Sequence, residues 1–209
     1  MLTSHLKKDM ERFGLSLSPS ESQKVEGNLK PICEGAGVLL LSQTRVADRL
    51  IYITSGIAAS VQTWNDGKTT IARFFEPNDL CTNVTSAWTG DISSDDLVAI
   101  TDIKGLSIPL EFYKHEYVHG DAFGKYLRYR MMEAHLFAKE LVCAKTQGRT
   151  HVRYQFLETH HKEVLALAPK QDVAKFLGLT PQSYSRFLRT KDTNVATSVP
   201  NLSVNPTKI

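Results

Sequence analysis

Residues 168–191 read APKQDVAKFLGLTPQSYSRFLRTK, and the polar side chains in this stretch have the donors and acceptors that read base pairs. Gln182 can pair with adenine and Arg186 can take guanine in bidentate fashion. The hydroxyls of Thr180, Ser183 and Ser185 can reach bases or phosphates. Lys170, Gln171 and Arg189 complete the set of candidate DNA contacts. Local charge agrees with an anionic partner. From Arg149 to Lys191 there are eight basic residues (Arg149, Arg153, Lys162, Lys170, Lys175, Arg186, Arg189, Lys191) against three acids (Glu158, Glu163, Asp172), an excess of five. The whole chain carries only +3, so the positive charge is concentrated here. A solvated basic face has the same composition, and charge alone does not decide between the two.

The elements that must position these groups are also written locally. Val173, Ala174, Phe176 and Leu177 give a short first helix its apolar positions, and Gly178 ends it as a left-handed C-cap. Leu179 is a buried turn residue. Thr180-Pro181 is an N-cap followed by proline at the first helical position. Tyr184, Phe187 and Leu188 then face inward, while Gln182, Ser183, Ser185, Arg186 and Arg189 occupy the other face. This is the recipe of a helix-turn-helix, whose first helix braces the second in a major groove. An ordinary αα-hairpin is the plainer alternative; the glycine turn and the uncharged front turn favour DNA.

Other residue patterns point to chemistry that their surroundings deny. His115-Glu116-Tyr117-Val118-His119 has the zinc-protease spacing, with Glu116 as the base. Gly120 follows at once, the helix around the motif is doubtful in length, and no third ligand is clearly placed downstream. We therefore expect no catalytic residue, no metal and no enzyme. Gly67-Lys68-Thr69 ends like a phosphate-binding loop, but position 62 is Gln and a strand follows, so it is a hairpin tip. Trp64 and Trp88 read as core or loop anchors. Cys33, Cys81 and Cys143 lack CxxC spacing, which argues against disulfides, structural zinc and a four-thiolate cluster. With no apolar leader and no apolar run near 18 residues, a cytoplasmic protein without membrane contact is expected.

A chain of 209 residues, 42% hydrophobic, can bury a core in one large domain or two modest ones. Residues 3–13 suggest a small amphipathic helix, followed by a Ser-rich loop, LSLSPSES. From Val38 to Pro109, short apolar runs between turn signals predict an antiparallel sandwich or barrel, with a hairpin at Asn65-Asp66-Gly67. From 121 to 147 the period becomes helical. Leu127, Met131, Ala134, Ala138 and Leu141 form a coiled-coil seam expected at a homodimer interface, and Phe123, Met132 and Phe137 form a second apolar edge. One edge would face the domain and the other a twin subunit. Two further helical stretches, HVRYQFLETHH and KEVLAL, precede Pro169. Residues 192–209 read as a polar tail.

QDVAKFLGLTPQSYSRFLR resembles the recognition motif of the Crp–Fnr superfamily of bacterial transcription regulators. GVLLLSQTRVADRLIYITSGIAASVQTWNDGKTTIARFFEPNDL resembles that family's cyclic-nucleotide-binding-type β-roll. The resemblance covers about 30–191. It implies an α+β fold: an N-terminal antiparallel β-roll of double-stranded jelly-roll type (1–118), a long dimerisation helix (119–147) and a C-terminal helix-turn-helix domain (148–191). It further implies a homodimer on an inverted-repeat DNA operator, an effector that alters the pose of the reading heads, and RNA polymerase as a candidate partner. In cyclic-AMP-binding members a glutamate takes the ribose and an arginine–serine pair takes the phosphate. Here Asn83 stands near the first position and Ser93–Ser94 near the second. The arginine is missing, and Asp91, Asp95 and Asp96 crowd the site with negative charge. Asn83, Ser93 and Ser94 remain the candidate effector pocket, but cyclic AMP is not expected. Cys33 alone cannot hold an iron–sulfur cluster, haem stays open, and no cofactor is assigned. The family's wing after the recognition helix would fall in the polar tail. The competing reading is an effector-binding β-roll protein that regulates a protein partner, with a degenerate DNA-binding tail.

Overall fold

A computed structural model describes residues 2–64 and 66–194, with backbone alone for 2, 3 and 192–194. The polar tail and any wing within it lie outside the described residues from 195 onward. Helix α1 (Leu2–Glu11) is the small helix expected near the start. Helix α2 (Pro19–Asn28) replaces part of the expected Ser-rich loop. The Ser18 hydroxyl accepts from the Glu21 amide, the Glu21 carboxylate accepts from the Ser18 amide, and Pro19 sits at the first helical position. A reciprocal capping box outweighs a loop-like composition.

The strands form two four-stranded antiparallel sheets. One has the order β1 (Lys30–Glu34), β8 (Ile103–Pro109), β3 (Arg49–Ser55), β6 (Leu80–Cys81). The other has the order β2 (Leu39–Leu41), β7 (Asp96–Ala99), β4 (Ala58–Thr63), β5 (Thr69–Phe75). Strand β1 escaped the sequence reading because it contains Pro31. It pairs only with β8, and proline is tolerated on such an edge. Gly56 turns β3 into β4 at φ +88°, where a Cβ would stand 2.1 Å from the Asp102 carbonyl oxygen. The β4–β5 hairpin pairs Thr63 with Thr69, and Asp66 Oδ1 accepts from the Lys68 amide, so Gly67-Lys68-Thr69 lies at a turn. Neither tryptophan is in the core: Trp64 is exposed, and the half-exposed Trp88 packs edge-on to Tyr113 and Tyr117. Ile51, Ile53, Ala58, Phe75, Cys81 and Leu97 fill a core with residues from both sheets.

A short helix, α3 (Val84–Thr89), joins β6 to β7. After β8 come α4 (Leu110–His119) and the long α5 (Ala122–Thr146). Then follow α6 (Thr150–His160), α7 (Lys162–Leu167), α8 (Lys170–Leu177) and α9 (Pro181–Asn194). None of the helices described is long and apolar enough to cross a membrane. Helices α1 and α2 pack Leu6, Met10 and Val25 into a core with Tyr52 of the roll and Phe123, Tyr126 and Leu127 of α5. Inside it, the buried Asp9 accepts from the Tyr126 hydroxyl at 2.7 Å. A third core is shared by Ile71 and Phe74 of the roll, Leu141 and Ala144 of α5, and Val173, Phe176 and Leu177 of α8. This core draws residues from both sides of the expected boundary at 147–148.

Candidate nucleic-acid interface

Helices α8 and α9 are joined by Gly178–Thr180. Gly178 is left-handed at φ 69°, and its amide closes α8 onto the Ala174 and Lys175 carbonyls. Thr180 Oγ1 accepts from the Ser183 amide at 3.1 Å, which caps α9. Val173, Ala174, Phe176 and Leu177 are buried, and Tyr184 comes in from α9, its hydroxyl pushed up to about 12 by burial. Phe187 lies 5.2 Å from the ring of Tyr154 on α6. Packing thus fixes the inner face of α9 and leaves the outer one in solvent.

On that outer face Gln182, Ser185, Arg186 and Arg189 are exposed, spaced so that they share one side of the helix. Ser183 is half-buried and accepts from Thr180 Oγ1, and the Ser185 hydroxyl donates to the Pro181 carbonyl. The three hydroxyls of Thr180, Ser183 and Ser185 are thus engaged with their own helix, and the long groups of Gln182 and Arg186 reach farther. Lys170 and Gln171 are exposed at the start of α8. Two of the three local acids are occupied by neighbouring lysines: Lys175 binds Asp172 at 3.0 Å, and Lys191 binds Glu158 while lying 4.1 Å from the centre of the Tyr154 ring. Beyond those two pairs the segment carries Arg149, Arg153, Lys162, Lys170, Arg186 and Arg189.

Asn83 and Ser94 do meet, but they satisfy each other. Asn83 caps α3 with its Oδ1 and donates through Nδ2 to Ser94 Oγ at 3.1 Å. The buried Ser93 hydroxyl donates to the Asp95 carbonyl. Asp95 accepts from Ser60 and Gln62, and Asp96 from the Gln43 amide. These polar groups stabilise the loop from within.

The seam drawn through Leu127, Met131, Ala134, Ala138 and Leu141 is turned mostly inward. Leu127 is fully buried against the chain's own roll, and Leu141 lies in the core shared with α8. Met131 and Ala134 line a cleft beside the roll, and of the five only Ala138 is exposed. The apolar stripe that does face outward is Tyr129, Met132, Leu136 and Cys143, with Val142 beside it. Both stripes have heptad spacing, and periodicity cannot say which one the chain keeps for itself. Of the second edge, Met132 faces outward, Phe123 is buried and Phe137 is half-buried.

Helix α4 runs through His115-Glu116-Tyr117-Val118-His119, longer than expected, and the two imidazoles lie 5.3 Å apart. Glu116 is turned inward and held by Lys24 and His115 Nδ1. Among the described residues, no three His, Cys, Asp or Glu side chains are grouped to hold a metal ion.

Two contacts between the roll and the C-terminal helices are not legible from spacing. The Glu76 carboxylate takes His161 Nδ1 and the Val164 amide. Lys145 donates to the Ile71 and Ala72 carbonyls and lies 4.6 Å from the centre of the Phe176 ring. Burial, helped by nearby Arg153, pushes its amine from 10.5 down to about 8. Between those values the folded chain has shed a proton that the unfolded chain still holds, so this group's contribution to stability rises with pH from about 8 toward 10.5. Measured from pH 7 to 10, the urea midpoint of the native protein should rise relative to that of Lys145→Met; equal slopes would rule out a depressed Lys145.

No protein-family model matches the chain, and no curated protein matches it. Solved structures do. A protein from Eubacterium rectale assigned to the crp/fnr family of transcriptional regulators superposes with a TM-score of 0.65 at 15% identity, covering 88% of this chain and 88% of its own. FixK2 from Bradyrhizobium japonicum gives 0.62 at 17%, covering 83% and 89%. The c-di-GMP-responsive global regulator CLP of Xanthomonas campestris gives 0.57 at 14%, covering 86% and 94%. The chain has the Crp–Fnr fold. In Crp–Fnr terms, the two sheets are the cyclic-nucleotide-binding-type roll and α5 is the long helix that follows it.

Proposed function

We propose that this chain is a sequence-specific DNA-binding transcription regulator of the Crp–Fnr type, acting as a homodimer on an inverted-repeat operator and not as an enzyme. The observation that carries this reading is the exposed row Gln182, Arg186 and Arg189 on α9, braced from behind by α8 through a buried apolar face. The fold shared with regulators such as CLP and FixK2 supports it. Joining two copies along Tyr129, Met132, Leu136 and Cys143 would give the α5 stripe an apolar partner and set two α9 rows around a two-fold axis. RNA polymerase is the further partner such a regulator would meet. Cyclic AMP is not its effector on this reading, since Asn83, Ser93 and Ser94 are engaged inside their own loop and the chain carries Ser93–Ser94 in place of an arginine–serine pair. Genome-wide identification of bound sites tests the proposal. A palindrome with half-sites about 10 base pairs apart, centre to centre, or a multiple of that, is the expected result. Bound sites without dyad symmetry would remove the dimer, and no enriched motif would remove DNA reading.

A further inference from the structure

Among the described residues, five buried side-chain atoms have no hydrogen-bond partner: Arg73 Nε, Tyr113 Oη, Arg130 Nε, Arg153 Nε and His161 Nε2. The residues bearing three of them, Arg73, Arg130 and His161, line a single cleft of about 400 Å³. It lies between the β5–β6 segment of the roll, α5, and the corner between α6 and α7, and its size is that of a small-molecule site. Asn83, Ser93 and Ser94 are not among the lining residues. Those three atoms are themselves shielded from the cleft; the cationic group it reaches is the rest of the Arg73 guanidinium, whose side chain is 24% exposed.

The surroundings narrow its chemistry. The nearest carboxylate to Arg73 is that of Asp79, at 3.7 Å, and its guanidinium lies over the rings of Phe75 and Phe137 at 4.7 and 5.2 Å. Arg130 commits its Nη atoms to Glu133 and the Asn78 carbonyl, but its Nε approaches Asp9 only to 3.9 Å. His161 is 4% exposed, holds Glu76 through Nδ1 and meets the Phe137 ring edge-on. Arg12, Arg73 and Arg130 face Glu76, Asp79 and Glu133, three charges of each sign. A nearly neutral cleft accepts one negative charge better than two. A planar carboxylate matches the paired Nη donors of one guanidinium, and the half-buried Phe137 ring offers a wall to an apolar body.

We propose that this cleft binds a small monocarboxylic acid with an aromatic or aliphatic body, its carboxylate on Arg73 and its body against Phe137. The role of such a ligand as an effector rests on the regulator reading; its binding does not. The cleft is walled by the roll, the long helix and the α6–α7 corner, so a ligand with unequal affinity for two arrangements of these parts would shift the pose of α9.

Calorimetric titration of the full chain, without DNA, tests the site. The probes are phenylacetate, hexanoate and indole-3-acetate, with phenylacetamide and phenyl phosphate as comparators. At least one carboxylate should bind saturably at one site per chain, roughly tenfold or more tighter than either comparator. Arg73→Gln should weaken that binding roughly tenfold or more, and Arg73→Lys should weaken it as well, because the charge without the fork is a poorer partner. Lys68→Gln, at the hairpin tip, should leave it unchanged. Circular dichroism identifies a variant that has not folded, and the second substitution then decides. The proposal is overturned if none of the three carboxylates binds, if phenylacetamide or phenyl phosphate binds as tightly, or if both folded Arg73 variants bind like the native chain. A negative titration leaves DNA reading intact, and a failure to bind DNA leaves the titration interpretable.

Discussion

Phe74→Ala is expected to lower the stability of the folded chain by about 3–5 kcal/mol, the usual cost of truncating a buried phenylalanine. Phe74 is fully buried on β5. It touches the C-terminal helices as much as the roll: its ring lies 5.4 Å from that of Phe176 on α8 and 6.2 Å from that of His161. Truncation would open a cavity in the core that joins the two parts, so the damage should be more than local. Both tryptophans, Trp64 and Trp88, lie in the first half of the chain, so their fluorescence follows the roll, whereas far-UV dichroism follows the helices. In the native protein the two signals should be lost together in urea. In Phe74→Ala the helical signal should fall first. Unchanged stability, or a native protein that already melts in two steps, would contradict a shared core.

If two copies pair along this face as proposed, Leu136→Glu should leave a monomer and weaken operator binding by about 100-fold or more, the avidity lost when two linked reading heads become independent. Leu136 is 55% exposed in the middle of the outward stripe of α5, with Met132 one turn before it and Cys143 two turns after. A carboxylate there would be buried beside its twin in a two-fold seam. A substitution so exposed should leave the protomer's own fold intact, unlike any change at the fully buried Leu127. Sedimentation velocity reads the outcome directly. A variant that still sediments as a dimer would move the interface off this face.

How much the sequence disclosed depended on whether a signal was local. The α8–turn–α9 unit was legible because Gly178 and Thr180-Pro181 are stop and start signals within a few residues of the elements they bound. The β4–β5 hairpin was legible for the same reason, and α5 from its unbroken helical periodicity. Helix α2 carried such a signal in Ser18 and Glu21, but its polar sequence, PSESQKVEGN, hides it among loop residues. The orientation of α5 is a tertiary matter. Leu127 and Met132 are equally apolar to a periodicity argument, and only the roll, with α1 and α2 packed beside it, decides that Leu127 turns in. Glu76 with His161, and Lys145 with the β5 carbonyls, join residues more than 70 positions apart, and no spacing rule connects them. Asn83, Ser93 and Ser94 were brought to notice by their place in a resemblance. Their hydrogen bonds to one another and to the neighbouring backbone are a property of the folded loop.

Direct reading of DNA by α9 is best tested by footprinting at one fixed salt concentration, comparing the native protein with Arg186→Ala on the same operator. The native protein should protect a palindrome. Arg186→Ala should bind it about 10- to 100-fold more weakly and lose discrimination at one position in each half-site, with affinity for unrelated DNA little altered. If no palindrome is protected, or if Arg186→Ala retains both the affinity and the base preference of the native protein, α9 does not read DNA.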